Sequence, residues 1–146
     1  MPIDQDRLAR TLLEDAADAV IYANADGIIE FWNSAATRVF GFEAASAVGQ
    51  SLDIIIPENL RGRHWQGYRD TMRTGQSRYE AGDLLSVPAI RQDGSRISVE
   101  FTIVPVRDAN GRMEGIIALL RDVTARFQEL RALRQLAASH PGRHDP

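Results

Sequence analysis

The chain has 146 residues, 44% of them apolar and 25% charged, with 17 basic side chains against 20 acidic ones and a formal charge of −3. This length suits one domain with its own core. The slight negative charge argues against a phosphate-binding surface and so against direct nucleic-acid recognition, and the lack of cysteine excludes disulfides, thiolate metal sites and thiol nucleophiles.

The N-terminal stretch "MPIDQDRLARTLLEDAADAV" is acidic and amphipathic, unlike a signal peptide. Leu8, Leu12 and Ala16 recur at intervals of four and predict a helix over residues 4–17. In "AVIYANADGIIEFWNSAA" the period changes, and two short strands are expected at 19–23 and 28–32. The Asp26–Gly27 pair supplies the turn between them, because glycine tolerates positive φ. Asn33 or Ser34 can cap the next helix, in which Ala36, Val39 and Phe40 share a face.

Residues 43–56 read as short helical turns broken at Gly49 and ended by Pro57. Pro57 suits the first turn of a new helix, where its missing N–H costs nothing. That helix is expected to run to Arg73 and stop at Gly75. From residue 78 onward the pattern is β, with three strand-like runs linked at Asp93–Gly94 and Asn110–Gly111. Within "RISVEFTIVPV", Ile97, Val99, Phe101, Ile103 and Pro105 alternate with Arg96, Ser98, Glu100 and Thr102, as in a strand with one buried face. "GIIALLRDV" is apolar enough for a central strand. A last helix, capped by Thr124, places Val123, Phe127, Leu130, Leu133 and Leu136 at spacings of three and four. No apolar run approaches the ~20 residues of a membrane span.

The order β-β-α-α-α-β-β-β gives a specific resemblance. "DAVIYANADGIIEFWNSAATRVFGFEAASAVGQSLDIIIPENLRGRH" resembles the first half of a PAS domain, and "RQDGSRISVEFTIVPVRDANGRMEGIIALLRDVTAR" resembles the second. Asn33 after the second strand, the "GFEAASAVGQ" segment, the Pro57 helix start and the closing "RDVTAR" carry the match, over residues 15–126. The resemblance implies an α+β fold: a five-stranded antiparallel sheet with short helices on one face, enclosing a pocket. It also implies flanking amphipathic helices at both ends. The expected division is an N-terminal flanking helix (1–17), the sensory domain (18–124), a signalling helix (125–139) and a disordered tail (140–146).

Members of the family are sensors, and their ligands are flavins, haem, small metabolites or none. The two photoreceptor classes that rely on a cysteine are excluded here, since the chain has none. In the haem-carrying oxygen-sensing kinases a histidine of the long central helix ligates iron, within a stretch similar to "RGRHWQGY". His64 matches that position and is the expected metal ligand for haem b. Leu60, His64, Tyr68 and Met72 are four apart and share one helical face. Arg61, Arg63, Arg69 and Arg78 are candidates for the propionates. Counting back from Asp93 places Leu84 or Leu85 where those sensors carry an arginine over the distal face. An apolar distal wall suits CO or NO, or a sixth ligand such as Met72 or Met113. A half-buried histidine bonded to a carbonyl accounts for "RGRH" equally well, and then the domain is a ligand-free or metabolite-binding module acting by dimerisation.

Trp32 and Trp65 are expected in packing roles. No phosphate-binding glycine loop and no "G-x-S-x-G" elbow occurs, so the expectation is not an enzyme. It is a cytoplasmic sensor, free-standing or an input module, with no membrane and no nucleic acid as partner. It is expected to form a homodimer through its terminal helices and to pass its signal to a separate protein or domain.

Overall fold

A computed structural model describes residues 1–76 and 84–139. Arg78, the start of the β run predicted from residue 78, and the tail 140–146 lie outside the described residues. The elements are α1 (Gln5–Asp15), β1 (Ala19–Asn24), β2 (Ile29–Trp32), α2 (Ser34–Phe40), α3 (Ala44–Ala47), α4 (Arg61–Thr74), β3 (Leu85–Ile90), β4 (Arg96–Arg107), β5 (Met113–Asp122) and α5 (Thr124–Ala138). Two 3-10 turns, Leu52–Ile55 and Glu58–Leu60, lead from α3 into α4.

The five strands form one antiparallel sheet in the order β2-β1-β5-β4-β3. Directly opposed residues of an antiparallel ladder share a face. Ala19, Leu120, Phe101 and Leu85 therefore make one row, and Ile21, Ala118 and Ile103 the next. The alternation expected in β4 places these side chains on the inner face, where Ala35, Ala36, Phe40, Ala47 and Ile55 of the helical segments complete the core. Pro105 is tolerated in β4 because, among the described residues, β3 pairs with β4 only as far as Phe101.

Asn33 joins the segments around β1. It is 1% exposed. Its side-chain oxygen accepts from Val20 N at 2.9 Å and Ala36 N at 3.0 Å. Its amide donates to Leu13 O at 2.9 Å and Asp18 O at 3.1 Å. The same side chain thus caps α2, starts β1 and ties down the end of α1. Ser34 adds a bond to Glu14 O.

Two local expectations are corrected. Pro57 does not open the α-helix itself. It precedes the 3-10 turn Glu58–Leu60, and α4 begins at Arg61. Thr124 does not act as the cap of α5, because the Asp122 carboxylate two residues back accepts both its N–H and its hydroxyl. The Thr124 hydroxyl oxygen instead accepts from Ser98 N at 2.9 Å, fastening the start of α5 to β4.

Neither terminal helix buries a residue. Leu8 and Leu12 on α1 and Phe127, Leu130, Leu133 and Leu136 on α5 are all exposed. Among the described residues no helix is long and apolar enough to cross a membrane.

Replacing Asn33 by alanine strands two buried N–H groups and two carbonyls at once. Asn33→Ala is expected to lower unfolding stability by about 3 kcal/mol, measured as a drop in the urea midpoint at constant m-value. A loss under about 1 kcal/mol would show that water replaces the amide.

Candidate functional site

Helix α4 carries two glycines, Gly62 and Gly67, each costing about 1 kcal/mol relative to alanine in a helix. Packing along one side has to offset that cost. Tyr68 and Thr71 are buried on that side, and Leu60, His64, Trp65 and Met72 are half-buried beside them. Arg63, Arg69 and Arg73 face solvent. Gly75 ends the helix at φ 72°, and its N–H bonds to Thr71 O.

Three aromatic side chains interlock on the covered side. The His64 and Trp65 rings are 4.6 Å apart and edge-on, His64 and Tyr68 are 5.7 Å apart, and Trp65 and Tyr68 are 5.3 Å apart. Each of the two larger rings is anchored outside the helix. The Trp65 indole donates to Asp53 Oδ1 at 2.7 Å. The Tyr68 hydroxyl reaches Asn24 O at 2.6 Å and Ala23 O at 3.2 Å, at the end of β1. The outer edge of the Trp65 ring lies over Gly27, where a Cβ would stand 2.2 Å from ring carbons. A turn residue with a side chain would push the helix away.

His64 Nδ1 is sealed from solvent and has no hydrogen-bond partner among the described residues. Burial lowers the imidazole pKa, and the negative charge of Asp53 opposes that shift only partly. The ring is therefore neutral near pH 7, with a lone pair available. Burial also raises the Tyr68 pKa, aided by Tyr22 and Asp26, so the phenol keeps the proton it donates.

The sheet across from these side chains is unevenly covered. The inner face is closed at Ala89, Ile97, Val99 and Leu120. Toward Leu85, Phe101, Ile103 and Ile116 it is only half-covered, and Val87 is 40% exposed. The result is an apolar strip along the inner face of the sheet.

The structure brings Leu60, His64, Tyr68 and Met72 to one side of α4. Leu85 enters the inner face opposite Phe101. Leu84 does not: it precedes β3 and is 63% exposed, because alternation admits only one of two neighbouring residues. Arg61 is engaged near the helix start, donating to Ile56 O and Asp53 O and lying 3.8 Å from the Asp53 carboxylate. Arg63 and Arg69 point to solvent, so neither faces the apolar strip. Trp32 is a core residue whose indole N–H is shared by Thr37 Oγ1 and Phe42 O. Asp53 was not singled out from the sequence, although a lone carboxylate inside the apolar "LDIII" run was a signal available there.

Among the described residues no group of three His, Asp or Glu could hold a metal ion. A single imidazole is the protein donor that a haem group needs, because the macrocycle supplies the four equatorial ligands itself. It does not make a zinc site, which needs three or four protein ligands. The neutral imidazole is a donor of the right kind for haem, and because its Nδ1 is sealed by protein the other ring nitrogen, Nε2, would be the one to meet the iron.

A family model described as the PAS fold matches residues 7–123. The sensor protein FixL of Bradyrhizobium diazoefficiens is 31% identical over 129 residues, which cover 84% of this chain and 25% of FixL. The oxygen sensor protein DosP of Escherichia coli is 28% identical over 124 residues, covering 85% of this chain and 15% of DosP. The chain thus spans a quarter or less of the length of these relatives. The crystal structure of a PAS domain from Colwellia psychrerythraea superposes with a TM-score of 0.73 at 18% identity, over 84% of this chain and 99% of that one.

Two outcomes test the site's geometry. Gly27→Ala is expected to cost about 3 kcal/mol, from αL strain and the collision with Trp65. In a Trp65→Ala background the cost falls to the strain alone, about 1 kcal/mol, so a double-mutant cycle should return about 2 kcal/mol of coupling. Additivity would mean the ring does not rest on the turn. For His64 the folded-state pKa lies below the unfolded value of 6.5. The unfolded chain therefore takes up the proton first, and stability is lost as pH falls through that value. Urea midpoints between about pH 7.5 and pH 5.5 should fall more steeply for the wild type than for His64→Gln. Parallel curves would contradict a desolvated imidazole.

Proposed function

The chain belongs to the PAS family, and we propose that this sensory domain holds haem b through His64 and responds to a diatomic gas or to redox state. The observation that carries the reading is the neutral imidazole of His64 on the covered side of α4. A neutral imidazole keeps a lone pair on one ring nitrogen, which an iron atom can accept. The similarity to FixL and to DosP, an oxygen sensor by name, points in the same direction.

In this reading His64 is the axial ligand, and Trp65 and Tyr68 set the angle at which it is presented. Leu60 and Met72 extend the helix wall, while Leu85, Phe101 and Ile103 form the opposite wall. Haem would supply an iron atom with a coordination position for the gas. Leu85 on the opposite wall is apolar and would offer O₂ no hydrogen bond, which favours CO, NO or a sixth protein ligand. Of the two methionines expected for that role, Met72 shares the helix wall with His64, which leaves Met113.

The output is the position of α5, carried to a separate protein or domain of a cytoplasmic signalling system. The uncovered stripes of α1 and α5 favour a homodimer formed through these helices. They also support a second reading, in which the domain works by dimerisation with a metabolite or nothing in the hollow. Neither reading involves catalysis, a membrane or direct contact with nucleic acid.

Protein purified with added hemin is expected to show a Soret band that His64→Ala abolishes while secondary structure and oligomeric state stay the same. A featureless visible spectrum in the wild type, with a stable dimer in sedimentation, would replace the haem reading with the second one.

A further inference from the structure

The C-terminal end of α4 is bound to a part of the sheet far away in sequence. Arg107, near the end of β4, donates through Nη2 to Gly75 O and through Nη1 to Gly111 O at 3.4 Å. Gly75 is the αL residue that ends α4, and Gly111 lies in the turn between β4 and β5. One guanidinium therefore spans a helix end and a hairpin turn. Its planar fork can serve two acceptors at once, and its charge sits at the negative end of the helix dipole.

A second feature aims Arg107 at this position. The β4–β5 register shifts between Val106, opposite Gly115, and Arg107, opposite Met113, which leaves Glu114 as an extra residue in β5. A bulge of this kind twists the ladder and redirects the side chains beside it. The fit at Gly75 is close, since a Cβ there would lie 2.8 Å from Arg107 Nη1. Farther along the helix, Tyr68 and Trp65 hold α4 to the end of β1 and to the β1–β2 turn. Arg107 adds an attachment between the C-terminal end of the helix and the β4–β5 hairpin.

We propose that Arg107 is a positioning residue that locks the C-terminal end of α4 to the β4–β5 hairpin, so that the helix bearing His64 and the hairpin move as one body. As a role in sensing this rests on the reading of His64 given above. Strand β5 runs from that hairpin to Asp122, whose carboxylate holds Thr124 at the start of α5. A displacement of α4 thus has a continuous path to the output helix, made of a locked helix end and one rigid strand.

Native-state hydrogen exchange on the full chain, read by mass spectrometry, tests the lock without any ligand. In Arg107→Gln the amides of residues 71–75 and of residues 110–115 should exchange about fivefold faster, and together. Peptides containing Ile21 and Leu120 should keep their rates, which a uniformly destabilising substitution would not allow. Arg107→Lys keeps the charge near the helix end but cannot reach two carbonyls, so it should restore residues 71–75 and not 110–115. No change in either segment of Arg107→Gln, or recovery of both segments in Arg107→Lys, overturns the proposal. Hemin is then added to the wild type and to Arg107→Gln, with the Soret band reporting uptake. Both should bind, and exchange at residues 119–127 should respond only in the wild type. Equal responses also overturn the proposal. A wild type without a Soret band ends the haem reading and leaves the ligand-free exchange result to decide the lock.

Discussion

A buried carboxamide that satisfies four backbone groups is the constraint on which this architecture rests. Asn33 follows the end of β2, and its four bonds reach the end of α1 through Leu13, the start of β1 through Asp18 and Val20, and the first turn of α2 through Ala36. An amide removed from water is costly unless all its partners are in place. Only one arrangement of the four segments supplies them. That arrangement fixes the start of β1, and the ladder then sets Ala19 against Leu120 and Asn24 against Gly115. The far end of β1, where Tyr68 binds, is placed as a consequence.

The helix bearing His64 is held from outside itself. With two glycines and a mostly polar sequence, α4 has little propensity of its own to set its position. Tyr68 binds the end of β1, Trp65 rests on Gly27 and bonds to Asp53, and Arg107 covers the C-terminal end. These contacts hold a neutral imidazole against the Trp65 and Tyr68 rings. The closed end of the sheet at Ala89, Ile97, Val99 and Leu120 supplies stability, while Leu85, Phe101, Ile103 and Ile116 are only half-covered.

The terminal helices show the complementary case. Asn33 and Ser34 anchor α1 at one end, and Asp122 with Thr124 and Ser98 anchors α5, yet the apolar stripes of both helices stay uncovered. An isolated helix of this length is marginal in water. Both stripes therefore call for a partner surface. The attachment points are also close together, because Asp18 pairs with Arg121 at 3.3 Å, linking the entry to β1 with the exit from β5.

Much of this was written locally in the chain. Alternation in β4 named the inner face, the Asp-Gly and Asn-Gly pairs named the hairpin turns, and Asn33 and Gly75 marked helix ends. In each case the determining residues lie within a few positions of one another, and a period of 2.0 or 3.6 encodes which side is buried. The spacing of Leu60, His64, Tyr68 and Met72 likewise named the covered side of α4. Only the tertiary structure could decide that Leu85 enters the sheet while Leu84 stays outside, since the register is set by pairing with Phe101. It alone brought Asp53 to Trp65, Tyr68 to Asn24 and Arg107 to Gly75, across 12, 44 and 32 residues. No local periodicity reaches that far. Such contacts exist because close packing and the hydrogen-bonding needs of buried backbone leave each side chain few places to go once the sheet has closed.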